Sequence, residues 1–268
     1  MFEKELLVVK ISSSRDIPLD IVFQDIRELY LKGYALIVVH GGSARANQLC
    51  EEMGYPPRFK ESPSGHLSRY TNARTRVLYM QATSELNAEI TNGLQQMGVK
   101  AIGLTGRDSS VILGECNPAI RSVVSGRVRT IRDDYSGSIN AVDTDRLDHI
   151  LVSRMVPIVP PVAYSYTDGL MNIDGDCAAA AIAGAMHADR FILLSNVPGL
   201  LSRDPMESSL VDQVPRERLD QALQWAQGRM KRKILSVQEA LDQGVMTAVV
   251  ADGRLSRPLH RALTGEGT

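Results

Sequence analysis

The sequence predicts an α/β fold in which a mainly parallel sheet is covered by helices on both faces. Three observations carry this. Leu6-Leu7-Val8-Val9-Lys10-Ile11 and Ala35-Leu36-Ile37-Val38-Val39 are short, β-branched apolar runs of the kind that parallel sheets bury on both sides. Residues 21–31 between them have helical spacing, so the chain opens as a β-α-β unit. The same alternation returns near residues 156–162 and 190–194.

In chain order, residues 44–53 follow the second run with good helix formers, which Gly54, Pro56 and Pro57 stop. Residues 58–76 are polar and rich in Arg, Ser and Gly, and residues 76–97 read as a long helix closed by Gly98. Between 102 and 139 short segments alternate with turn signals, and Val123-Val124-Ser125-Gly126-Arg127-Val128 predicts a β-hairpin inserted in the α/β frame. Residues 156–162 resume the buried-strand character. Asp174-Gly175-Asp176 starts an alanine-rich helix to residue 186, and residues 190–194 form a strand running into Ser195-Asn196-Val197-Pro198-Gly199. A helix over about 229–243, a strand over 247–250 and a glycine-bearing tail complete the reading.

Composition narrows the function classes. With 44% hydrophobic and 23% charged residues among 268, the chain is neither disordered, collagen-like nor a disulfide scaffold. Thirty basic residues against 31 acidic ones leave a net charge of -1, so no global field favours nucleic acid or a membrane surface. Three cysteines (Cys50, Cys116 and Cys177) without ligand spacing argue against structural zinc and for a reducing compartment. No secretory leader or membrane-spanning run is read, and the expected location is the cytoplasm.

Two turns directly follow apolar strands: Lys10-Ile11-Ser12-Ser13-Ser14 and His40-Gly41-Gly42-Ser43. There the carboxyl ends of parallel strands face helix N-termini whose free N–H groups hold phosphate. Neither matches a Walker loop or a dinucleotide fingerprint, and on the residues alone a tight strand-to-helix turn explains His-Gly-Gly better than a phosphate site does. Asn172-Ile173-Asp174-Gly175-Asp176 opens the buried helix: its carboxylates either cap that helix or position lysines around a transferring phosphoryl group. Gly228-Arg229-Met230-Lys231-Arg232-Lys233 places four cations at a helix start, where they oppose the dipole. Such a cluster is a solvated face or the seat of an anion.

Taken together, Lys10, His40-Gly41-Gly42, Arg69, Asn172 with Asp176, Ser195 to Gly199, and Met230 with Lys233 resemble the amino acid kinase family, in its acetylglutamate kinase branch. Pro56-Pro57-Arg58-Phe59, Asp134-Tyr135-Ser136-Gly137, residues 227–233 and the closing 263–268 are similar to the kinases that act on 2-aminoadipate or glutamate held on an amino-group carrier protein. The resemblance implies a three-layer αβα sandwich and a single domain over 1–268, with a substrate and carrier side near 1–170 and a nucleotide side near 171–268. It implies transfer of the ATP γ-phosphoryl group, with Mg²⁺ entering on ATP and no dedicated protein metal site, to a side-chain carboxylate. Lys10, Asp176 and Lys233 would be catalytic. Ser12, Ser13, Gly41, Gly42, Ser195, Asn196, Val197, Gly199 and Met230 would line ATP. Gly41, Gly42, Arg69 and Asn172 would hold the acceptor, and Arg121, Arg127 and Arg129 would meet a small acidic carrier. A homodimer is implied as well, and the N-terminal helix of arginine-regulated relatives is not read ahead of the first strand.

One position departs from the family pattern: Ser12 and Ser13 stand where the family has two glycines. Serine keeps the N–H and adds a hydroxyl donor, but it brings a Cβ to a place where phosphate approaches closely. Other readings are therefore an acetylglutamate kinase on free substrate, a kinase for another carrier-bound amino acid in a specialised pathway, and a noncatalytic nucleotide-binding regulator.

Overall fold

A computed structural model describes residues 4–63, 67–107, 110–117, 119–124, 127–203 and 205–268. In chain order, β1 (Leu6–Ile11), α1 (Leu19–Leu31), β2 (Ala35–His40) and α2 (Ser43–Glu52) form the opening unit. Next come β3 (Phe59–Glu61), β4 (Leu67–Arg69), α3 (Ala73–Gln96) and β5 (Ala101–Gly103). The middle holds β6 (Ile112–Cys116), β7 (Ile120–Val124), β8 (Arg127–Ile131), β9 (Gly137–Val142) and α4 (Thr144–Val152). The remainder is β10 (Val156–Val159), β11 (Val162–Ser165), β12 (Gly169–Asn172), α5 (Gly175–Ala185), β13 (Arg190–Ser195), α6 (Leu219–Trp225), α7 (Gly228–Asp242), β14 (Thr247–Asp252) and α8 (Pro258–Leu263).

Among the described residues these strands make three sheets, and the largest is six-stranded in the order β14-β13-β1-β2-β10-β5 with every pairing parallel. Alternate side chains of each strand enter opposite layers, as the pleat requires. Leu6 and Val8 join Ile37, Val39 and the alanines of α5 on one side, while Leu7, Val9 and Ile11 join Leu36, Val38 and residues of α1, α3 and α8 on the other. The expected mainly parallel, helix-covered sheet is therefore present. Strand order reverses direction at β1, whose neighbours are β13 and β2. At that switch point the loops after β1 and β13 leave in different directions and open a crevice at the carboxyl ends of the strands.

The single strand expected over 156–162 is in fact two, in different sheets: β10 lies in the parallel sheet between β2 and β5, and β11 pairs with β12 and β6. Pro160 and Pro161 lie between them without N–H groups to continue a ladder, and Val162 N–H instead donates to Pro160 O at 2.8 Å. The inserted hairpin exists as β7 and β8; its expected turn residues Ser125 and Gly126 lie outside the described residues. It extends a four-stranded sheet in the order β4-β3-β7-β8, built partly from the polar stretch over 58–76. No helix among the described residues is long and apolar enough to cross a membrane.

Candidate active site

Lys10 is the penultimate residue of β1, within a run of buried residues, and burying an ammonium group requires compensation. Its partner is Asp176, on the first turn of α5: Lys10 Nζ lies 2.6 Å from Asp176 Oδ1. Lys233, one turn into α7, donates to Asp176 Oδ2 at 3.1 Å. The three residues are 6%, 9% and 7% exposed, so their charges interact with little screening by water. Burial pushes the Asp176 carboxyl up, but the two lysines outweigh it and hold the group well below the ordinary carboxylate range. Burial lowers Lys233, the Lys10 charge adds to that, and Asp176 opposes both. Two ammonium groups against one carboxylate leave the buried cluster with an excess positive charge. An incoming anion satisfies it.

The two carboxylates of Asp174-Gly175-Asp176 divide the work that the sequence left open. Asp174 is the cap, its Oδ1 accepting from the N–H groups of Asp176 at 2.9 Å and Cys177 at 3.1 Å, while Asp176 takes the lysines. The basic stretch on α7 divides likewise: Lys233 turns inward, Arg232 Nε lies 3.7 Å from Asp174 Oδ2, and Arg229 and Lys231 stay exposed. Met230 is half-buried between two apolar clusters.

The His40-Gly41-Gly42 turn is packed from both sides. A Cβ on Gly41 would lie 2.7 Å from Ser13 N and 2.8 Å from Ser13 Cβ, and one on Gly42 would lie 2.5 Å from Thr83 Cγ2. Glycine is thus required by close approach at both positions. Ser12 N–H is already spent on Leu194 O at 3.1 Å, extending the β1–β13 ladder, so the donor this residue has left is its hydroxyl. Of the N–H groups and hydroxyls expected to cradle phosphate at Ser12 and Ser13, the Ser12 N–H is therefore not free.

His40 is wholly buried; burial holds its imidazole down at about 4, with the Lys10 charge adding and the hydrogen bond to Gly41 O opposing. As a neutral ring its Nδ1–H donates to Gly41 O at 2.8 Å, which leaves Nε2 to accept from Asn87 Nδ2 at 3.1 Å. Asn87 also donates to Ile158 O at 2.8 Å. Sequence reasoning missed Asn87. Its signal is a polar residue on the buried stripe of α3 that also carries Thr83, Ile90 and Leu94.

Arg69, at the end of β4, is 6% exposed yet has no carboxylate partner among the described residues. One Nη donates to Ser43 O at 3.1 Å and to Asn47 Oδ1, its plane lies over the rings of Phe59 and Tyr79, and Nε and the other Nη have no hydrogen-bond partner. A buried guanidinium with two idle donor atoms is a ready seat for a carboxylate. Asn172, ending β12, donates from Nδ2 to Thr71 Oγ1 at 3.0 Å. At the end of β13, Ser195 O accepts from Gly253 N–H at 2.7 Å, Asn196 donates to Asp16 at 3.2 Å, Val197 is half-buried and Gly199 is buried beneath Thr268 and Leu210.

Arg121, Arg127 and Arg129 are exposed on β7 and β8, away from the buried cluster. They do not share one face. Ser122 pairs with Arg129 and Arg121 with Thr130, so Arg127 and Arg129 project on one side and Arg121 on the other. Through the Glu61 to Val123 and Phe59 to Arg69 pairings, Arg121 shares its face with Arg69.

Paired lysines on a buried aspartate, with a glycine turn nearby, form an anion-binding arrangement on an α/β frame. The family model for the amino acid kinase family matches residues 5–252, and the chain belongs to that family. It is 40% identical to the LysW-aminoadipate kinase of Deinococcus radiodurans over 264 residues, covering 98% of this chain and 90% of that one. With the LysW-aminoadipate kinase of Thermus thermophilus it shares 40% identity over 266 residues, 98% of this chain and 99% of the relative. Among solved structures it is similar in fold to N-acetylglutamate synthase from Neisseria gonorrhoeae complexed with coenzyme A and N-acetyl-glutamate (TM-score 0.80, 22% identity, 98% of this chain and 58% of that one). An isopentenyl phosphate kinase is similar in fold as well (TM-score 0.65, 19% identity, 98% and 99% covered).

Proposed function

We propose that this protein transfers the γ-phosphoryl group of ATP to the side-chain carboxylate of 2-aminoadipate or glutamate carried on a LysW-type amino-group carrier protein. The observation that carries the chemistry is the buried Lys10–Asp176–Lys233 cluster with its surplus positive charge. The names of the full-length relatives supply the acceptor.

In this reading an acceptor carboxylate oxygen attacks the γ-phosphorus, a new O–P bond forms, and the bond from the γ-phosphorus to the bridging oxygen of ADP breaks. A carboxylate is a nucleophile at neutral pH, so no general base is needed; alignment and charge neutralisation carry the step. Lys10 and Lys233 neutralise the charge on the transferring group and on the ADP oxygen, and Asp176 fixes their spacing without accepting a proton. Mg²⁺ belongs on the ATP phosphates, where it supplies further neutralisation. Both Asp176 oxygens are engaged by lysines, so this carboxylate organises ammonium groups and is not offered as a metal ligand.

Arg69 and Asn172 hold the acceptor's other polar groups beside Gly41 and Gly42, on a substrate side near residues 1–170. The ATP side, near 171–268, is lined by Ser195, Asn196, Val197, Gly199 and Met230, with the Ser12 and Ser13 hydroxyls closing over the phosphates. Arg121, Arg127 and Arg129 offer the acidic carrier a positive rim, and the working form is a cytoplasmic homodimer. Hydroxylamine trapping tests the product: an acyl phosphate on the carrier gives a hydroxamate in proportion to ADP released. ADP release without hydroxamate would mean that the carboxylate is not the acceptor.

A further inference from the structure

Lys60 and Asp134 are a second buried ion pair, outside the phosphoryl-transfer cluster. Lys60 Nζ lies 2.7 Å from Asp134 Oδ2, with the side chains 7% and 0% exposed. Asp134 also accepts from Thr71 N–H at 3.1 Å, from Ser136 N–H at 2.9 Å and from the Ser136 hydroxyl, while Lys60 donates to Ser136 Oγ at 2.9 Å. A buried pair of this kind gains little stability over an apolar one of the same shape, so its geometry is the feature to explain. Segment 134–136 lies between the two proposed acceptor-binding residues. On one side Tyr135 N–H donates to Thr71 O at 2.7 Å, and Thr71 Oγ1 donates to Arg69 O at 3.4 Å. On the other, Asn172 N–H donates to Tyr135 O at 3.0 Å, and Ser136 bridges to Asn172. The direct link from Asn172 Nδ2 to Thr71 Oγ1 closes the ring.

We infer that Lys60 and Asp134 are positioning residues that hold segment 134–136 as a strap, fixing the distance between the Arg69 guanidinium and the Asn172 amide and thereby the grip on the acceptor. The inference rests on the reading of Arg69 and Asn172 as acceptor ligands. Because Lys60 belongs to β3, the strap also ties the four-stranded sheet to the acceptor pocket.

Three variants and two readouts test it. In Lys60→Met the KM for carrier-bound acceptor should rise at least tenfold while the KM for ATP stays within twofold, and Lys60→Arg should recover most of the loss. Ser136→Ala, which deletes only the bridging hydroxyl, should raise the acceptor KM about threefold and serves if Lys60→Met does not fold. An unchanged acceptor KM in Ser136→Ala, or equal rises for ATP and acceptor, overturns the strap. Amide hydrogen exchange is the activity-independent arm: exchange at Thr71, Tyr135 and Asn172 should quicken at least tenfold in the variant while β1 and β13 stay protected. No change there overturns the inference even if wild type proves inert, whereas inert wild type alone sinks only the functional reading.

Discussion

Asp176 is ionised because two lysines keep it so, and that makes the members of the cluster unequal under substitution. Lys233→Met leaves one cation facing one anion, a balanced pair, so the fold should persist while turnover falls about a hundredfold, read as kcat with carrier-bound acceptor. Asp176→Asn leaves two buried cations side by side, and unpaired buried charge costs about 3–5 kcal/mol. That variant should lose both activity and several degrees of melting temperature. Equal stability of the two variants would show that the cluster is wetter than its burial implies. His40 makes a separate prediction with a definite sign. Its folded value near 4 lies below the ordinary 6.5, so between those limits the unfolded chain binds a proton that the native ring refuses. This share of stability, on the order of 3 kcal/mol, is fully present above pH 6.5 and drains away as pH falls toward 4. Urea unfolding at pH 7 and pH 4.5 should show a smaller acid loss in His40→Asn than in wild type, by about 2 kcal/mol.

At the scale of elements, the loop after β1 and the turn after β2 behave as one unit, because Gly41 packs on the Ser13 backbone. Gly41→Ala should therefore push the Ser13 loop aside and weaken ATP binding at least tenfold, measured by calorimetry; unchanged affinity would remove that loop from the nucleotide site. The double variant Ser12→Gly and Ser13→Gly should keep or raise turnover, since the only N–H already engaged, that of Ser12, remains engaged with Leu194 O. Elements such as β1, β2, α3, α5 and β13 were legible in the sequence because their apolar periodicity or runs are long and their stops are glycine or proline. The three-residue strands β3 and β4 were not, since so short a run carries no period. Nor was the split of β10 from β11, where apolar character continues through the two prolines while the backbone changes sheet. The residues of the proposed site were reached through the family resemblance of their motifs. Their supports were not: Asn87, Thr71 and Lys60 are single polar residues, and only the packing of distant segments buries them.

On the scale of the whole molecule, a net charge of -1 means that attraction of an acidic carrier must come from a local surface. Since Arg121 shares a sheet face with Arg69 while Arg127 and Arg129 project from the other, Arg121→Glu should raise the carrier KM more than Arg127→Glu with Arg129→Glu. All of these effects should shrink as salt rises above about 0.15 M, and ATP affinity should not follow. An acceptor carboxylate presented on a carrier protein is tested by ADP formation with Mg-ATP and, in parallel, aminoadipate or glutamate on the carrier, free acetylglutamate, and carrier without amino acid. Turnover is expected with at least one carrier-bound acceptor, at a kcat/KM at least a hundredfold above that for free acetylglutamate, and none with bare carrier. Turnover of free acetylglutamate equal to or faster than that of every carrier-bound acceptor, or nucleotide binding with no ADP formed from any of them, would contradict it.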